Sequence, residues 1–149
     1  MLRGARAGIA AAAVWAAAEP PLRRVFGTPY SDVRLLGATV TRGPWWPVAG
    51  LAVHLVNGAV FGAAFERRGG RGLKTGVLAA QAENLALWPA LALVDRLHPD
   101  RRSGAWPRLA VSPRVFAYEA AVHALFGLVL GALVPKEGSG EPSRGGDSR

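Results

Sequence analysis

Residues 47–65 read PVAGLAVHLVNGAVFGAAF, an apolar run with His54 and Asn57 as its strongly polar members. A helix of roughly 20 such residues crosses a hydrocarbon core of about 30 Å, whereas a soluble helix of that length would show a polar face. Residues 115–134, VFAYEAAVHALFGLVLGALV, form a second run of the same kind, interrupted by Glu119 and His123. Together the two runs decide the class, an all-α membrane bundle. Residues 73–94 are long enough for a further span but include Gln81, Glu83 and Asn84, so much of that surface is expected to face protein.

The first apolar block, 7–18, is mostly alanine, preceded by Arg3 and Arg6 and followed by Glu19, Pro20 and Pro21. It reads as a bent first span over 5–25. A basic start, a short apolar run and an Ala-Ala-Ala end also fit a cleaved secretory signal, which stands as the alternative. Glu19 precedes Arg23 by four residues, the spacing of a local helical ion pair.

Sliding the chain along itself by 69 residues brings Pro20 onto Pro89, Pro44 onto Pro113, His54 onto His123, Gly58 onto Gly127 and Gly62 onto Gly131. About 14 of about 60 aligned positions match without a gap, against roughly 7 expected from composition. The most specific element is His-x3-Gly-x3-Gly, found once in each half. The expected architecture is therefore a polytopic four-helix transmembrane bundle over 1–135, built of two parallel two-span repeats, about 7–66 and 76–135, with interfacial loop segments. An axis along the membrane normal would relate the halves. Residues 136–149 are Gly, Ser, Pro and charge, and are expected to be a disordered tail.

The connecting segments give the bundle two faces. Arg67, Arg68, Arg71 and Lys74 crowd the short link after the second span. Two longer loops, 28–44 and 98–113, lie at the other face, with Leu35, Leu36, Leu109 and Val111 expected at the interface. Trp45, Trp46 and Trp106 are expected there too, as headgroup anchors. Lys and Arg divide evenly between the faces, so orientation rests on the dense 67–74 cluster, which favours cytoplasmic termini.

A net charge of +8 raises a nucleic-acid reading, but the cations flank apolar blocks and suit anionic lipid heads, so no nucleic acid is expected. The expected partners are the lipid bilayer and a second copy of the chain or another membrane protein. Cysteine is absent, which excludes disulfides and thiolate sites. No Gly-rich phosphate loop and no Gly-x-Ser-x-Gly elbow occurs, so nothing points to an enzyme, and no cofactor is implied.

Chemistry, if present, belongs to the polar residues within the spans, because an ionisable group at membrane depth costs at least about 2.5 kcal/mol unless it is paired or wetted. Glu119, His123, Gly127 and Gly131 recur every four residues along one stripe, and His54, Asn57, Gly58 and Gly62 form a similar one. Gly76, Ala80, Glu83 and Asn84 share a face, so Glu83 is expected to meet His54 or His123. The four glycines Gly58, Gly62, Gly127 and Gly131 would let helix backbones approach closely. Two functions follow from these stripes. In the leading one the chain is a structural or partner-binding membrane component whose polar groups bond across helices. In the alternative it is a small transporter or proton or ion pathway using the Glu and His residues. Imidazole and carboxylate can also hold a divalent metal, and paired histidines a haem, but no second signature marks such a site.

In its Ala, Gly and Arg-rich habit and in phrases such as Gly27-Thr-Pro-Tyr-Ser-Asp32, His54-Leu-Val-Asn-Gly58 and Glu83-Asn-Leu-Ala-Leu-Trp-Pro89, the chain resembles small uncharacterised four-span membrane proteins of bacteria with GC-rich genomes. That resemblance implies a bacterial cell membrane and no particular activity.

Overall fold

A computed structural model describes residues 2–135, and every regular element among them is helical. The helices are α1 (Leu2–Phe26), α2 (Asp32–Val40), α3 (Trp46–Arg67), α4 (Leu73–Leu87), α5 (Leu91–Leu97), α6 (Pro99–Arg102) and α7 (Pro113–Leu133). A 3-10 turn, Trp88–Ala90, joins α4 to α5 where Pro89 lacks the backbone donor that would continue the helix. The tail expected to be disordered lies outside the described residues.

Three stretches are long and apolar enough to cross a membrane: Trp46–Arg67, Leu73–Leu97 and Pro113–Leu133. They overlap the spans read from sequence at 47–65, 73–94 and 115–134. Helix α1 covers the expected 5–25 but does not reach the same apolarity, since Arg3, Arg6, Glu19, Arg23 and Arg24 and the prolines Pro20 and Pro21 interrupt it. Large apolar side chains such as Leu51, Val56, Val60, Leu78, Leu85 and Leu128 point outward and stay exposed, the pattern of a surface facing lipid.

Backbone approach at glycine sets which helices pair. Gly8 lies against the Gly58 carbonyl, and a Cβ at Gly58 would sit 2.6 Å from Ala12 Cβ, so α1 and α3 meet at backbone distance. A Cβ at Gly127 would sit 2.6 Å from both the Gly76 carbonyl oxygen and Val77 Cα, which binds α4 to α7 in the same way. Of the two His/Gly stripes, the α7 glycines face the third apolar stretch, α4, and the α3 glycines turn to α1. Each glycine stripe already has a helix of small residues beside it in sequence order. Helix α1 also packs along α7, whereas α3 and α4 lack comparable packing on each other.

The two long loops carry short helices, α2 and α6, and fold in against the bundle. After α1 the chain reverses at Gly27, whose φ of +61° suits glycine, and residues 28–31 run back beside the helix. Helix α2 therefore starts at the level of Glu19, seven residues or roughly 10 Å back from the end of α1, and packs on α3 through Gly37 and Gly50. The second loop folds inward as well. Trp106 and Leu109, both expected at the interface, are 3% and 0% exposed. Asp95 draws this segment in, accepting hydrogen bonds from Leu109 N at 2.8 Å, Ala110 N at 3.1 Å and Arg101 Nε at 2.9 Å. Trp45 remains exposed and Trp46 half-buried, in keeping with an anchoring role.

A Gly127→Leu substitution is expected to separate α4 from α7, with a cost of at least about 1–3 kcal/mol from overpacking. Val60→Leu on the outward surface is expected to be near neutral; thermal unfolding of both variants in detergent checks the contrast.

Candidate functional site

The polar residues of the spans converge on one cavity of about 190 Å³ bounded by α1, α2, α3, α4 and α7. It exists because α1 occupies the middle of the bundle and holds α3 and α4 apart. Trp15, on α1, forms the centre of the wall. His54 from α3 and His123 from α7 press edge-on against it, with ring centroids 5.1 and 4.6 Å away.

The sequence-derived residues take distinct places around this space. His54, Asn84, Glu119 and His123 are buried, Glu83 is half-buried, and Asn57 is exposed at the rim. His123 Nδ1 lies 2.8 Å from the Glu119 carbonyl oxygen. A carbonyl only accepts, so this nitrogen carries the proton and Nε2 is left with its lone pair. Nδ1 is also 3.5 Å from Glu119 Oε2. The meeting of Glu83 with His54 or His123 does not occur; Glu83 lines the cavity with them but makes no hydrogen bond or ion pair to either among the described residues. Helix α4 packs on α7 through its glycine face, and that rotation carries Glu83 to the edge of the space. Gly62, Gly127 and Gly131 lie outside it on the α1/α3 and α4/α7 seams, while Gly58, on the first of these, also lines the space.

The largest omission from the sequence reading is a second layer of carboxylates. Glu19 is 5% exposed and, instead of pairing with Arg23, turns to the start of α2. Its Oε2 accepts from Ser31 Oγ at 2.7 Å, and its Oε1 accepts from Asp32 N at 2.7 Å and Val33 N at 3.3 Å. These backbone groups open a helix and have no intrahelical partner, and the positive end of the α2 dipole faces the carboxylate. Arg23 instead donates from Nη2 to the Pro29 carbonyl at 2.7 Å, holding the returning strand in place. The Ser31-Asp32 pair was a readable helix-start signal, but nothing local says that a residue twelve positions earlier would supply the cap.

This cap sets Asp32 beside Glu119 at the inner end of the cavity. Tyr30 Oη donates to Asp32 Oδ1 at 2.8 Å. Burial, and then the charge of Glu19, raises the Asp32 carboxyl above the ordinary aspartate range. The buried atoms His54 Nε2 and Asn84 Nδ2 have no hydrogen-bond partner among the described residues. Among the described residues, no Lys or Arg lines the space. Among the described residues, no three His, Asp or Glu side chains come together in a metal-holding arrangement.

Above the cavity, Arg34 of α2 grips Asp100 at the start of α6 through two bonds, Nε to Oδ2 at 2.6 Å and Nη2 to Oδ1 at 2.7 Å. His98 stacks on Trp106 at 4.5 Å, and Tyr30 meets the same indole edge-on at 5.1 Å. The Arg34 bonds hold the Asp100 carboxyl below its usual range. Both loops thus form one lid over the acidic end of the cavity.

No protein-family model matches this chain, and no curated protein or solved structure matches it.

Glu19→Ala leaves two backbone donors and the Ser31 hydroxyl unsatisfied, at about 1–3 kcal/mol each, whereas Glu19→Gln retains an acceptor. The Ala variant is expected to lose hydrogen-exchange protection across α2, and the Gln variant to keep most of it. Asp100→Asn is expected to lower stability by about 1 kcal/mol, the modest size following from the exposure of Arg34. Since the Asp100 pKa is depressed in the fold, its contribution stands above about pH 4 and fades as the pH falls through the depressed value. Unfolding midpoints of wild type and variant, compared across pH, check this.

Proposed function

We propose that the chain is a multi-pass protein of the bacterial cell membrane that carries a proton or a small cation through its central cavity. The carrying observation is that His54, Glu83, Asn84, Glu119 and His123 line one space that contains carboxylates and, among the described residues, no Lys or Arg. Purely structural polar groups would be bonded to one another across helices, yet His54 Nε2 and Asn84 Nδ2 lack partners.

A fourth span, α1, is part of this reading, and its packing supports it. Helix α1 lies along both α3 and α7, so where those cross the bilayer α1 crosses with them. A duplicated origin is supported by the matching seams, Gly8 with Gly58 and Gly62 in one half and Gly76 with Gly127 and Gly131 in the other. The basic residues Arg67, Arg68, Arg71 and Lys74 favour cytoplasmic termini.

The close glycine seams favour a second reading, a structural membrane component in which these contacts serve assembly. The two readings part on flux. In proteoliposomes under a pH gradient, wild type is expected to dissipate the gradient, and Glu83→Gln and Glu119→Gln to slow this at least roughly tenfold, as the loss of one buried charged contact would. A gradient as stable as in empty liposomes, or flux indifferent to both variants, leaves the structural reading.

A further inference from the structure

The cavity is more selective in its chemistry than a bare proton path requires. A volume of about 190 Å³ is below the roughly 300–1,000 Å³ of pockets for drug-sized molecules but ample for a compact organic one. Its charge comes from Asp32, Glu83 and Glu119, and much of its remaining wall is aromatic, with Trp15, Trp88 and Phe126 among the lining residues. Carboxylate and aromatic faces together are the environment that attracts an organic cation. An acidic cluster alone would not make a site. Here His54 Nε2 and Asn84 Nδ2 belong to side chains at most 7% exposed, have no partner, and sit on residues that line the empty space. A divalent metal is a poor occupant, because no three ligating side chains converge among the described residues.

The position of the rim indicates how a ligand arrives. Asn57 lies eleven residues into the 22-residue α3, about 16 Å along an axis of about 33 Å. Glu83 lies ten residues into the 25-residue stretch Leu73–Leu97, about 15 Å along about 37 Å. Both are at mid-depth on the facing walls formed by α3 and α4, which lack close packing on each other. Polar side chains exposed there would face hydrocarbon unless water fills the gap, so a ligand entering from the bilayer must tolerate its interior before it meets a wetted rim.

We propose that the cavity binds a compact arylalkyl-ammonium monocation, admitted from the bilayer between α3 and α4 and held by the Glu83 carboxylate against the Trp15 wall. This rests on the solute-carrying reading above and names its substrate class.

The test uses the full chain in lipid nanodiscs and tritiated benzyltrimethylammonium as the probe, with empty nanodiscs subtracted. Saturable binding is expected at one site per chain, competed by the unlabelled cation and not by benzenesulfonate. Glu83→Gln is expected to weaken it at least roughly tenfold, since removing a carboxylate near a cation in a poorly solvated site costs more than about 1.4 kcal/mol. Glu83 makes no bond that holds the fold together, and an unchanged gel-filtration profile shows that the variant is intact. Asn57→Trp, which fills the rim, is expected to slow association. No saturable binding, equal competition by benzenesulfonate, or affinity unchanged in Glu83→Gln overturns the proposal. If binding fails while Glu119-dependent proton flux persists, the cation proposal falls and the proton pathway stands; if both fail, both fall.

Discussion

The Glu19 carboxylate at the start of α2 is the interaction on which the rest depends. A chain that turns back beside α1 and starts a new helix there exposes backbone donors where water is scarce, and each unsatisfied donor costs a substantial part of total stability. Glu19 meets two of these donors and the Ser31 hydroxyl with its two oxygens. Through that one contact Asp32 comes to rest by Glu119, and Arg34 comes within reach of Asp100. The cavity therefore acquires its acidic end and its lid from a single side chain on α1.

Glycine supplies the complementary constraint. The α1/α3 and α4/α7 seams are packed so closely that neither tolerates a Cβ, which fixes two helix pairs. With α1 also seated on α7, the outer helices α3 and α4 are left flanking a gap. Trp15 fills part of it and bears on the imidazoles of both His54 and His123, so the indole couples the two sides. Rigid seams with a loosely joined pair between them provide both a stable frame and a space for a ligand.

Much of this was legible in the sequence where it rested on local composition. The three long apolar stretches follow from bilayer thickness alone, and the polar interruptions in them, from His54 to His123, named the residues that line the cavity. What escaped depended on contacts distant in sequence. Glu19 had Arg23 at helical spacing, and only the return of residues 28–31 shows a better partner. Trp106 and Leu109 resembled interfacial anchors because Asp95, which draws their segment inward, is separated from Leu109 by 14 residues. The partner of the α3 glycines was not legible either, because α1, rich in small residues, comes to them only through the tertiary fold.

The central claim is that a wet, cation-accepting cavity lies between α3 and α4 in the membrane. The chain has no cysteine, so single cysteines can be introduced without background. The most direct measurement is the labelling rate of Asn57→Cys and Glu83→Cys by a cationic, water-soluble methanethiosulfonate in proteoliposomes, set against Val60→Cys and Leu78→Cys on the outward surface. Rapid labelling at 57 and 83 with protection at 60 and 78 is the expected result. Protection at all four positions would mean that the interior is dry and closed, and would contradict the account.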